Sequence, residues 1–441
     1  MSETNVSVET YDAWLEDNGP AAIVIRQPLR PVNADPHAED EIWRRGVFFP
    51  PTYAGGQYNI DRIGDPDKNG AVPEVPNVCV VDSVGSQANR IEPAFKTLRF
   101  QDEKGTERTL VPQVVVQFKE DLKDENGKVV EGDDGKPKQQ VVDEVHLLDA
   151  GHRAADAVMR SSDLKDEVED AFIDHREGDA TAMAQLCPTT LVFGAWDSRA
   201  TQHKVSRIVS AIIRAYNVRE LRRSPRYKPP KDYILDDIIP DHGGDKATKE
   251  RYSQEGVLDF VDPVNPFVHG GVIAERIVRE ATLNLATIRD LRAGDGQDKE
   301  KNRRLQRYIL GLSLVAITHL DAVTLSLRQG CQLVKADPDD EGIDDKEKER
   351  RQPRRYVVQP NGKNEVFNVN DSDALRYAQN VAADFIVGED RTCTFDKEIL
   401  ETSVSKKSKD AWKERKASAE ERYRRRKQGD EAKGKASEAS S

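Results

Sequence analysis

Hydrophobic and polar residues alternate along several short segments of the chain, and this alternation predicts half-buried β-strands. The first two segments are residues 21–29 (AAIVIRQPL), predicted as a first or edge strand, and residues 77–82 (NVCVVD). Within residues 97–119, two alternating segments flank a turn at Gly105 and predict a β-hairpin. A hairpin implies antiparallel strands.

Other segments place their apolar residues at helical spacing. After the second strand, Ser83 or Ser86 is predicted to cap a helix that runs to about Lys96. Residues 300–318 predict the longest clear helix, and a further helix is predicted over residues 372–387. The sequence therefore predicts helices as well as an antiparallel sheet.

Residues 186–231 hold the densest combination of signals. An apolar segment at 189–193 (TTLVF) is predicted to be a strand. The apolar residues from Val205 to Tyr216 fall at helical spacing, which predicts an amphipathic helix with one buried stripe. A dense basic run follows the predicted helix.

The charge of this stretch contrasts with that of the whole protein. Ten Lys and Arg residues against two acidic residues give it a net charge of +8, while the chain of 441 residues has a net charge of −12. Trp196, Tyr216 and Tyr227 lie among these cations, a mixture suited to holding a single-stranded nucleic acid by its backbone and unstacked bases. A solvated basic face of a helix has the same composition, so a more specific signal is needed.

The later part of the chain carries two more predicted strands and a polar tail. Residues 281–288 (ATLNLATI) alternate and are predicted as a strand despite the helical pattern just before them, and residues 322–334 are predicted as the strand after the long helix. Residues 405–441 hold 13 Lys and Arg against 7 acidic residues, with few aliphatic residues to bury. This tail is predicted to be a helical arm at most, and more readily disordered.

Composition places the chain among soluble, cytoplasmic proteins. Hydrophobic residues make up 37% and charged residues 33%, and no apolar run approaches the ~18–20 residues of a membrane span. The N-terminal residues lack the basic and apolar regions of an export signal. The four cysteines are far apart and form no CxxC pair, which argues against a zinc ribbon or a disulfide framework.

Motifs for catalysis are weak. The glycine pairs of the chain lack the frame of a nucleotide-binding loop. The segment HLLDAGH brings His146, Asp149 and His152 close together in sequence and is compatible with a metal site, although structural capping is the favoured interpretation. We predict neither a catalytic residue nor a bound metal or cofactor.

Four groups of segments, taken together, resemble the Cas7-type backbone subunit of the type I-G (formerly I-U) CRISPR surveillance complex, Cascade, within the repeat-associated mysterious protein superfamily. The segments SQANR and FGAWDSR carry the most specific part of the resemblance. The resemblance covers roughly residues 20–335. Its segments are DSVGSQANRIEPAF (82–95), LLDAGHRAADAV (147–158), TTLVFGAWDSR (189–199) with KVSRIVSAIIRAYNV (204–218), and HGGVIAERIVREATLNLATIRDLR (269–292).

The resemblance implies an α+β fold with a ferredoxin-like, RNA-recognition-motif-like palm of antiparallel sheet and helices, carrying large finger and thumb insertions. Residues 1–400 are then one domain, and residues 401–441 are the basic tail. Insertions are expected at about residues 30–75, 121–140, 225–255 and 336–355. The implied role is to bind the CRISPR guide RNA, or crRNA, and to polymerise along it without catalysis.

Residue types suit that role, because a subunit that holds any guide should contact phosphate, ribose and stacking faces rather than base edges. Helix starts, a glycine pair and an aromatic residue beside cations supply such groups. Each also has a structural alternative: an N-cap for the helix start, an ion pair for Arg153, a tight turn for the glycine pair and a core-sealing role for the tryptophan. The predicted RNA-binding residues are Ser86, Gln87, Asn89, Arg90, His152, Arg153, Trp196, Ser198, Arg199, Lys204, Arg207, Gly270 and Gly271.

The expected partners are the crRNA, further copies of the chain in an open head-to-tail filament, other CRISPR effector subunits, and target DNA that pairs with the guide. No membrane partner is expected. One alternative is a metal-dependent RNA-processing nuclease of the same superfamily that uses His146, Asp149 or His152. Another is a structural protein that assembles without nucleic acid.

Overall fold

The computed structural model describes most of the chain. The described residues are 8–53, 56–64, 76–223, 229–258, 268–318, 325–341, 343–405 and 408–438. The strands are β1 (Ala22–Pro31), β2 (Ile60–Arg62), β3 (Asn77–Asp82), β4 (Arg99–Gln101), β5 (Glu107–Thr109), β6 (Val114–Asp121), β7 (Gln139–His146), β8 (Ala195–Trp196), β9 (Lys204–Val205), β10 (Val209–Tyr216), β11 (Arg219–Arg223), β12 (Val268–Ile273), β13 (Arg276–Asn284), β14 (Ser326–Arg328), β15 (Cys331–Lys335), β16 (Arg354–Val358), β17 (Asn364–Val366) and β18 (Arg391–Thr394).

Helices connect and cover these strands. They are α1 (Val8–Ala13), α2 (Glu41–Arg45), α3 (Val84–Ile91), α4 (Ala157–Arg160), α5 (Lys165–Arg176), α6 (Thr181–Leu186), α7 (Pro188–Phe193), α8 (Lys246–Gln254), α9 (Leu285–Arg289), α10 (Lys299–Thr318), α11 (Asp345–Arg351), α12 (Asp371–Asp384), α13 (Lys397–Ser405) and α14 (Ser408–Glu438). Short 3-10 helices occur at Glu92–Lys96, Leu147–Asp149 and Arg153–Ala155. The chain is therefore a mixed α+β protein.

Among the described residues, the main sheet is antiparallel and has nine strands. Its order is β14-β15-β1-β13-β10-β3-β2, with β16 on β1 and β17 on β16. Strand β1 lies inside this sheet, not at an edge, because β13 pairs along one side of it while β16 and β15 share the other. Pro28 falls between the two shared partners, where a strand tolerates the missing N–H.

The central strands β10 and β13 continue beyond the main sheet. Strand β11 follows β10, and β12 precedes β13, and the two pair with each other in a separate two-stranded sheet. A third sheet has the order β18-β6-β7, in which β18 runs parallel to β6. A hairpin that turns near Gly105 is present as β4 and β5, but most of the second predicted segment forms β6, which pairs with β18 and β7 instead.

Two predictions within residues 186–231 are wrong. The apolar segment 189–193 belongs to helix α7, which begins at Pro188 and is buried on all sides. A short fully apolar run has no periodicity, so it cannot distinguish a buried strand from a buried helix. Pro188 at the first helical position and Gly194 after the last were the local signals for a helix.

The predicted amphipathic helix is strand β10. Its side chains alternate strictly, so that Val209, Ala211, Ile213 and Ala215 are buried while their neighbours are half-buried. The neighbours include Ile212, whose apolar side chain made the spacing look helical. The β-branched residues of the segment pack on a pleated surface in agreement with their strand preference.

Later boundaries also shift. The helical pattern before residue 281 belongs to strand β13, whereas the end of ATLNLATI forms helix α9. The predicted single strand 322–334 is a hairpin of β14 and β15 that turns at Gly330, with residues 322–324 outside the described residues. The segment GVLDFVDP (256–263) also predicts a short strand, and residues 259–263 of it lie outside the described residues.

The core lies between the main sheet and its helices. Helix α10 is buried along most of its length, which confirms the predicted helix at 300–318. Helix α12 packs closely against it, because a Cβ atom at Gly311 would lie 2.8 Å from the Cα atom of Ala378. The cysteines Cys79, Cys187, Cys331 and Cys393 are all buried and free.

The tail contains the helical arm that the sequence allowed as the alternative to disorder. Residues 408–438 form helix α14, which packs on the acidic face of α5. Arg422 contacts Asp166 at 2.7 Å and Glu169 at 3.0 Å, and Arg426 contacts Asp174 at 2.7 Å. These ionic contacts take the place of the aliphatic burial whose scarcity suggested disorder.

In the part of the chain that the structure describes, no helix is both long enough and apolar enough to cross a membrane.

Candidate nucleic-acid interface

A short hairpin between helix α7 and strand β10 presents a cluster of positive charge. Strands β8 and β9 pair through Ala195 with Val205 and through Trp196 with Lys204. The helix ends at Gly194, whose φ of 76° and close contact with Arg207 leave no room for a side chain. We call residues 194–207 the cationic hairpin.

A buried carboxylate shapes the loop of the cationic hairpin. Asp197 is 2% exposed and accepts hydrogen bonds from three successive backbone N–H groups, those of residues 199–201, at 3.3, 3.2 and 2.7 Å. It also accepts one from the Thr201 hydroxyl at 2.8 Å, and the carbonyl oxygen of Ser198 accepts one from the Gln202 amide. The loop is therefore held in one conformation by its own side chains.

The cations of the cationic hairpin point outward. Arg199, Lys204 and Arg207 are exposed, and within the described ranges none has a carboxylate within 4.0 Å. Arg207 donates from Nε to the carbonyl of Phe193 at 3.0 Å, which orients the side chain without neutralising its charge. These three positive charges are therefore available to an anion.

An aromatic ring lies beside these charges. Trp196 is 53% exposed, and the Lys204 Nζ atom lies 4.6 Å from its ring centroid. The alternative that Trp196 seals the core does not fit this exposure. An exposed indole with a neighbouring ammonium offers a stacking face and a phosphate partner together.

A histidine pair fixes the hairpin to helix α5. The Nε2 atom of His203 lies 2.8 Å from the Nδ1 atom of His175. Burial lowers the pKa of His175 to about 4, and burial also lowers the pKa of His203. Both rings are then neutral near pH 7, so that one can donate an N–H to the other.

Two further arginines lie near the cationic hairpin. Arg160 is half-buried, and burial lowers its pKa, with the guanidiniums of Arg415 and Arg199 lowering it further. Arg415 belongs to helix α14, so the tail brings a cation to the neighbourhood of the hairpin. Sequence reasoning missed both residues because neither lies near the hairpin along the chain.

The predicted group at the start of helix α3 surrounds a buried acid. Asp82 is 0% exposed and accepts hydrogen bonds from Ser86 at 2.7 Å, from Gln87 at 2.5 Å and from Arg90 at 3.0 Å. Arg328 lies 3.5 Å away as a second cation. Gln87 is itself fully buried and also accepts a hydrogen bond, so it has no group turned to solvent.

The segment SQANR forms part of the first turns of helix α3, as the N-cap interpretation expects. Ser83 accepts a hydrogen bond from the backbone N–H of Ser86 at 3.3 Å and caps the helix, as one of the two predicted caps. Asn89 is exposed, and its side-chain oxygen accepts a hydrogen bond from Arg153.

Arg153 joins helix α3 to the base of the cationic hairpin from inside the protein. It is 4% exposed, and its Nε atom lies 2.9 Å from a carboxylate oxygen of Glu92, which is 1% exposed. It also donates to the carbonyl of Gly194 at 3.2 Å and to the Asn89 side chain at 3.4 Å. The alternative of an ion pair therefore holds for Arg153.

His152 and the glycine pair lie in different settings. His152 is exposed, with its Nδ1 atom 3.4 Å from Asp156. Gly270 and Gly271 lie in strand β12, where added Cβ atoms would meet Leu221 and Val47 at 2.9 and 2.7 Å. Close packing of the protein on itself requires these two glycines.

The predicted residues thus divide into a surface group and an interior group. The surface group, formed by the cationic hairpin with Asn89 and His152, lies at the start of β10, whereas the glycine pair lies beyond its other end. At about 3.3 Å per residue, β10 separates the two by roughly 25 Å. The structure does not bring all predicted positions into one site.

The alternative metal site does not assemble in the described ranges. Asp149 pairs with Lys96 at 2.5 Å, and His146 is half-buried. Across the residues described, no three His, Cys, Asp or Glu side chains are grouped so that they could hold a metal ion.

Comparison with known protein families gives a match over part of the chain. The family described as CRISPR-associated protein GSU0053 matches residues 25–220, a segment that runs from strand β1 through the cationic hairpin and β10. No curated protein matches the chain. Residues 25–220 are therefore similar to a family of CRISPR-associated proteins.

Proposed function

We propose that the protein is a non-catalytic backbone subunit of a type I-G CRISPR surveillance complex that binds the guide RNA. The observation that carries this proposal is the cationic hairpin, whose three outward cations lie beside the exposed Trp196. Phosphates require available cations, and an unstacked base requires an open aromatic face. The match to a CRISPR-associated family includes this hairpin and supports a role alongside other CRISPR components.

The arrangement of four strands supports a ferredoxin-like palm. Along the chain, helices α3 to α7 lie between β1 and β10, and α10 lies between β13 and β15. In the sheet the strands follow the order β15-β1-β13-β10. This corresponds to a β-α-β-β-α-β succession with the fourth strand beside the first, as in ferredoxin-like folds.

The chemistry of the hairpin suits a guide of any sequence. Guanidinium and ammonium groups bind phosphate, and an indole stacks on every base, so neither discriminates among bases. The bases left free would pair with target DNA. The partners of the protein are then the crRNA, further copies of the chain, other CRISPR effector subunits and, through the guide, target DNA.

A charge reversal tests the proposal. The triple variant Arg199→Glu, Lys204→Glu, Arg207→Glu is expected to weaken binding of single-stranded RNA by about 10-fold or more for each cation that binds a phosphate, because a hydrogen bond to a charged group contributes about 1.5–3 kcal/mol. The weakening should be similar for unrelated sequences. Fluorescence anisotropy of labelled RNAs over a range of salt concentrations measures this, and removal of all three cations should flatten the log–log salt slope by about 2.

A matched control separates local charge from net charge. Lys123, Lys128 and Lys136 are exposed residues of the segment that connects β6 to β7. Their replacement by Glu makes the same change in net charge and should leave RNA affinity nearly unchanged. An equal reduction of affinity in both triple variants would show non-specific attraction and would reject the hairpin as the binding surface.

Assembly along RNA follows from the role of a backbone subunit. A net charge of −12 makes free copies repel one another, whereas an RNA strand bound at each cationic hairpin raises their local concentration. A repeated head-to-tail contact that does not close gives an open filament. Mass photometry should find mostly monomers without RNA and particles whose mass grows in steps with RNA length; a single stoichiometry at all lengths contradicts a filament.

A further inference from the structure

A cleft lies at the opposite end of the central strands from the cationic hairpin. It has a volume of about 600 Å³ and is formed by the end of β10, the start of β13, the segment Pro28–Pro31 of β1, and helices α2 and α11. A cleft of this volume is within the range of sites for small organic ligands. We call it the arginine cleft, because six arginines line it: Arg30, Arg44, Arg45, Arg276, Arg350 and Arg351.

Three of these arginines retain their positive charge for a ligand. Arg30 donates to the carbonyl of Ala34 at 3.0 Å, and its buried Nε atom has no hydrogen-bond partner among the described residues. Arg44 and Arg276 are exposed, and along the described chain neither lies within 4.0 Å of a carboxylate. A buried donor without a partner is unfavourable, and an anion in the cleft would offset that cost.

The acids of the arginine cleft are already engaged. Glu275 accepts a hydrogen bond from Asn217 at 2.6 Å, which lowers the pKa of Glu275. Asp344 caps helix α11, and Glu347 accepts a hydrogen bond from Arg351 at 3.0 Å. The cations that remain therefore set the charge preference of the cleft, which is for an anion.

A planar stack lies at the wall of the cleft. The guanidinium of Arg276 lies 4.5 Å from the ring centroid of Tyr216. An exposed guanidinium that is stacked on a ring presents its other face to a further flat group. Pro28, Ile277 and Ile343 add apolar surface beside the stack.

We propose that the arginine cleft binds a nucleoside phosphate, with the phosphate at Arg30 and Arg44 and the base against Arg276 and Tyr216. A bare phosphate would leave the stack and the apolar surface empty, whereas a nucleotide matches all three features. The ligand is either a free nucleotide or one nucleotide of a strand. The proposal does not rest on the guide-binding role, because the cleft and the cationic hairpin lie at opposite ends of β10.

Calorimetric titration of the full chain tests this with three probes: AMP, inorganic phosphate and a decamer of adenylate RNA. AMP is expected to bind one site per chain, and the variant Arg44→Gln, Arg276→Gln should weaken it by about tenfold or more. The variant Tyr216→Leu should weaken the binding of AMP but not the binding of phosphate. The hairpin variant with Glu at residues 199, 204 and 207 should keep the AMP affinity of the wild type, so failure of one proposal is distinguishable from failure of the other.

A matched control removes two arginines elsewhere. Arg376 and Arg425 are exposed on α12 and α14, each near a carboxylate on its own helix. The variant Arg376→Gln, Arg425→Gln makes the same change in charge and should bind AMP as the wild type does. If AMP does not bind, and the cleft variant weakens binding of the decamer while this control does not, the site takes one nucleotide of a strand.

Two results would overturn the proposal. One is phosphate that binds as tightly as AMP, which would make the cleft a simple anion site. The other is equal affinity of the cleft variant and the control for both AMP and the decamer. Thermal melts of each variant must match the wild type for these comparisons to apply.

Discussion

Replacement of Arg153 by Met is expected to lower the free energy of unfolding by about 3–5 kcal/mol. The guanidinium and the Glu92 carboxylate form a pair that is buried on both sides, at 2.9 Å. Removal of the cation leaves the acid in the interior without a counterion. Urea unfolding, followed by circular dichroism, measures the destabilisation, and RNA affinity of the folded variant should change little.

The pH dependence of this destabilisation has a defined sign. Burial raises the pKa of Glu92 to about 7, against the lowering effect of Arg153. A raised pKa in the folded state stabilises the protein below the ordinary pKa of the carboxyl, and this stabilisation is lost as pH rises through the folded-state value. Without Arg153 the pKa of Glu92 rises further, and the stability of the variant continues to fall above pH 7. The loss of unfolding free energy relative to the wild type should therefore be larger at pH 8 than at pH 6.

The double variant Arg153→Met, Glu92→Leu is the control. Apolar residues in place of a whole buried pair are often tolerated, so it should recover much of the stability. If Arg153→Met instead unfolds at the urea concentration of the wild type but fails to bind RNA, Arg153 contacts the guide and the buried pair is not its main role.

Replacement of Asp82 by Ala should also cost about 3–5 kcal/mol of unfolding free energy. The carboxylate holds two cations, Arg90 and Arg328, and accepts from Ser86 and Gln87 in a site without solvent. Its removal leaves the buried Gln87 amide without an acceptor. Thermal and urea unfolding measure the effect.

Ser86→Ala is the matched control for the Asp82 network. It removes one donor and leaves the carboxylate in place, so it should cost only about 1 kcal/mol. Equal destabilisation of both variants would show that Asp82 is not the centre of the network. The network also explains why Arg90 is a weak candidate for phosphate binding, since its charge is paired inside the protein.

Local sequence signals predicted the elements that have clear periodicity or a recognisable cap. Helix α10 and strand β3 have clear periodicity, and Ser83 caps α3 as an N-cap residue should. Strand β10 was misread because its half-buried Ile212 and buried Ile213 give a helix-like spacing. The spacing of apolar residues alone does not distinguish an amphipathic helix from a strand that carries apolar residues on both faces.

The interior contacts of the candidate site could not be predicted from local patterns. Arg153 and Glu92, and likewise Asp82 and Arg328, are distant in sequence and meet only through the fold. The local sequence around a basic residue at a helix start does not show whether its partner is an acid of the protein or a phosphate. The outward cations of residues 199–207 were predictable, because their loop is short and local.

The buried cysteines have a consequence for experiments on assembly. Burial raises the pKa of Cys79 to about 12 and that of Cys331 to about 11, and it also raises the pKa values of Cys187 and Cys393. Thiol reagents attack the thiolate of an accessible cysteine, and these four groups are neither ionised near pH 7 nor exposed. The folded chain is in effect a natural cysteine-free background, in which one cysteine introduced at the surface carries a fluorophore or a cross-linker to a single chosen position.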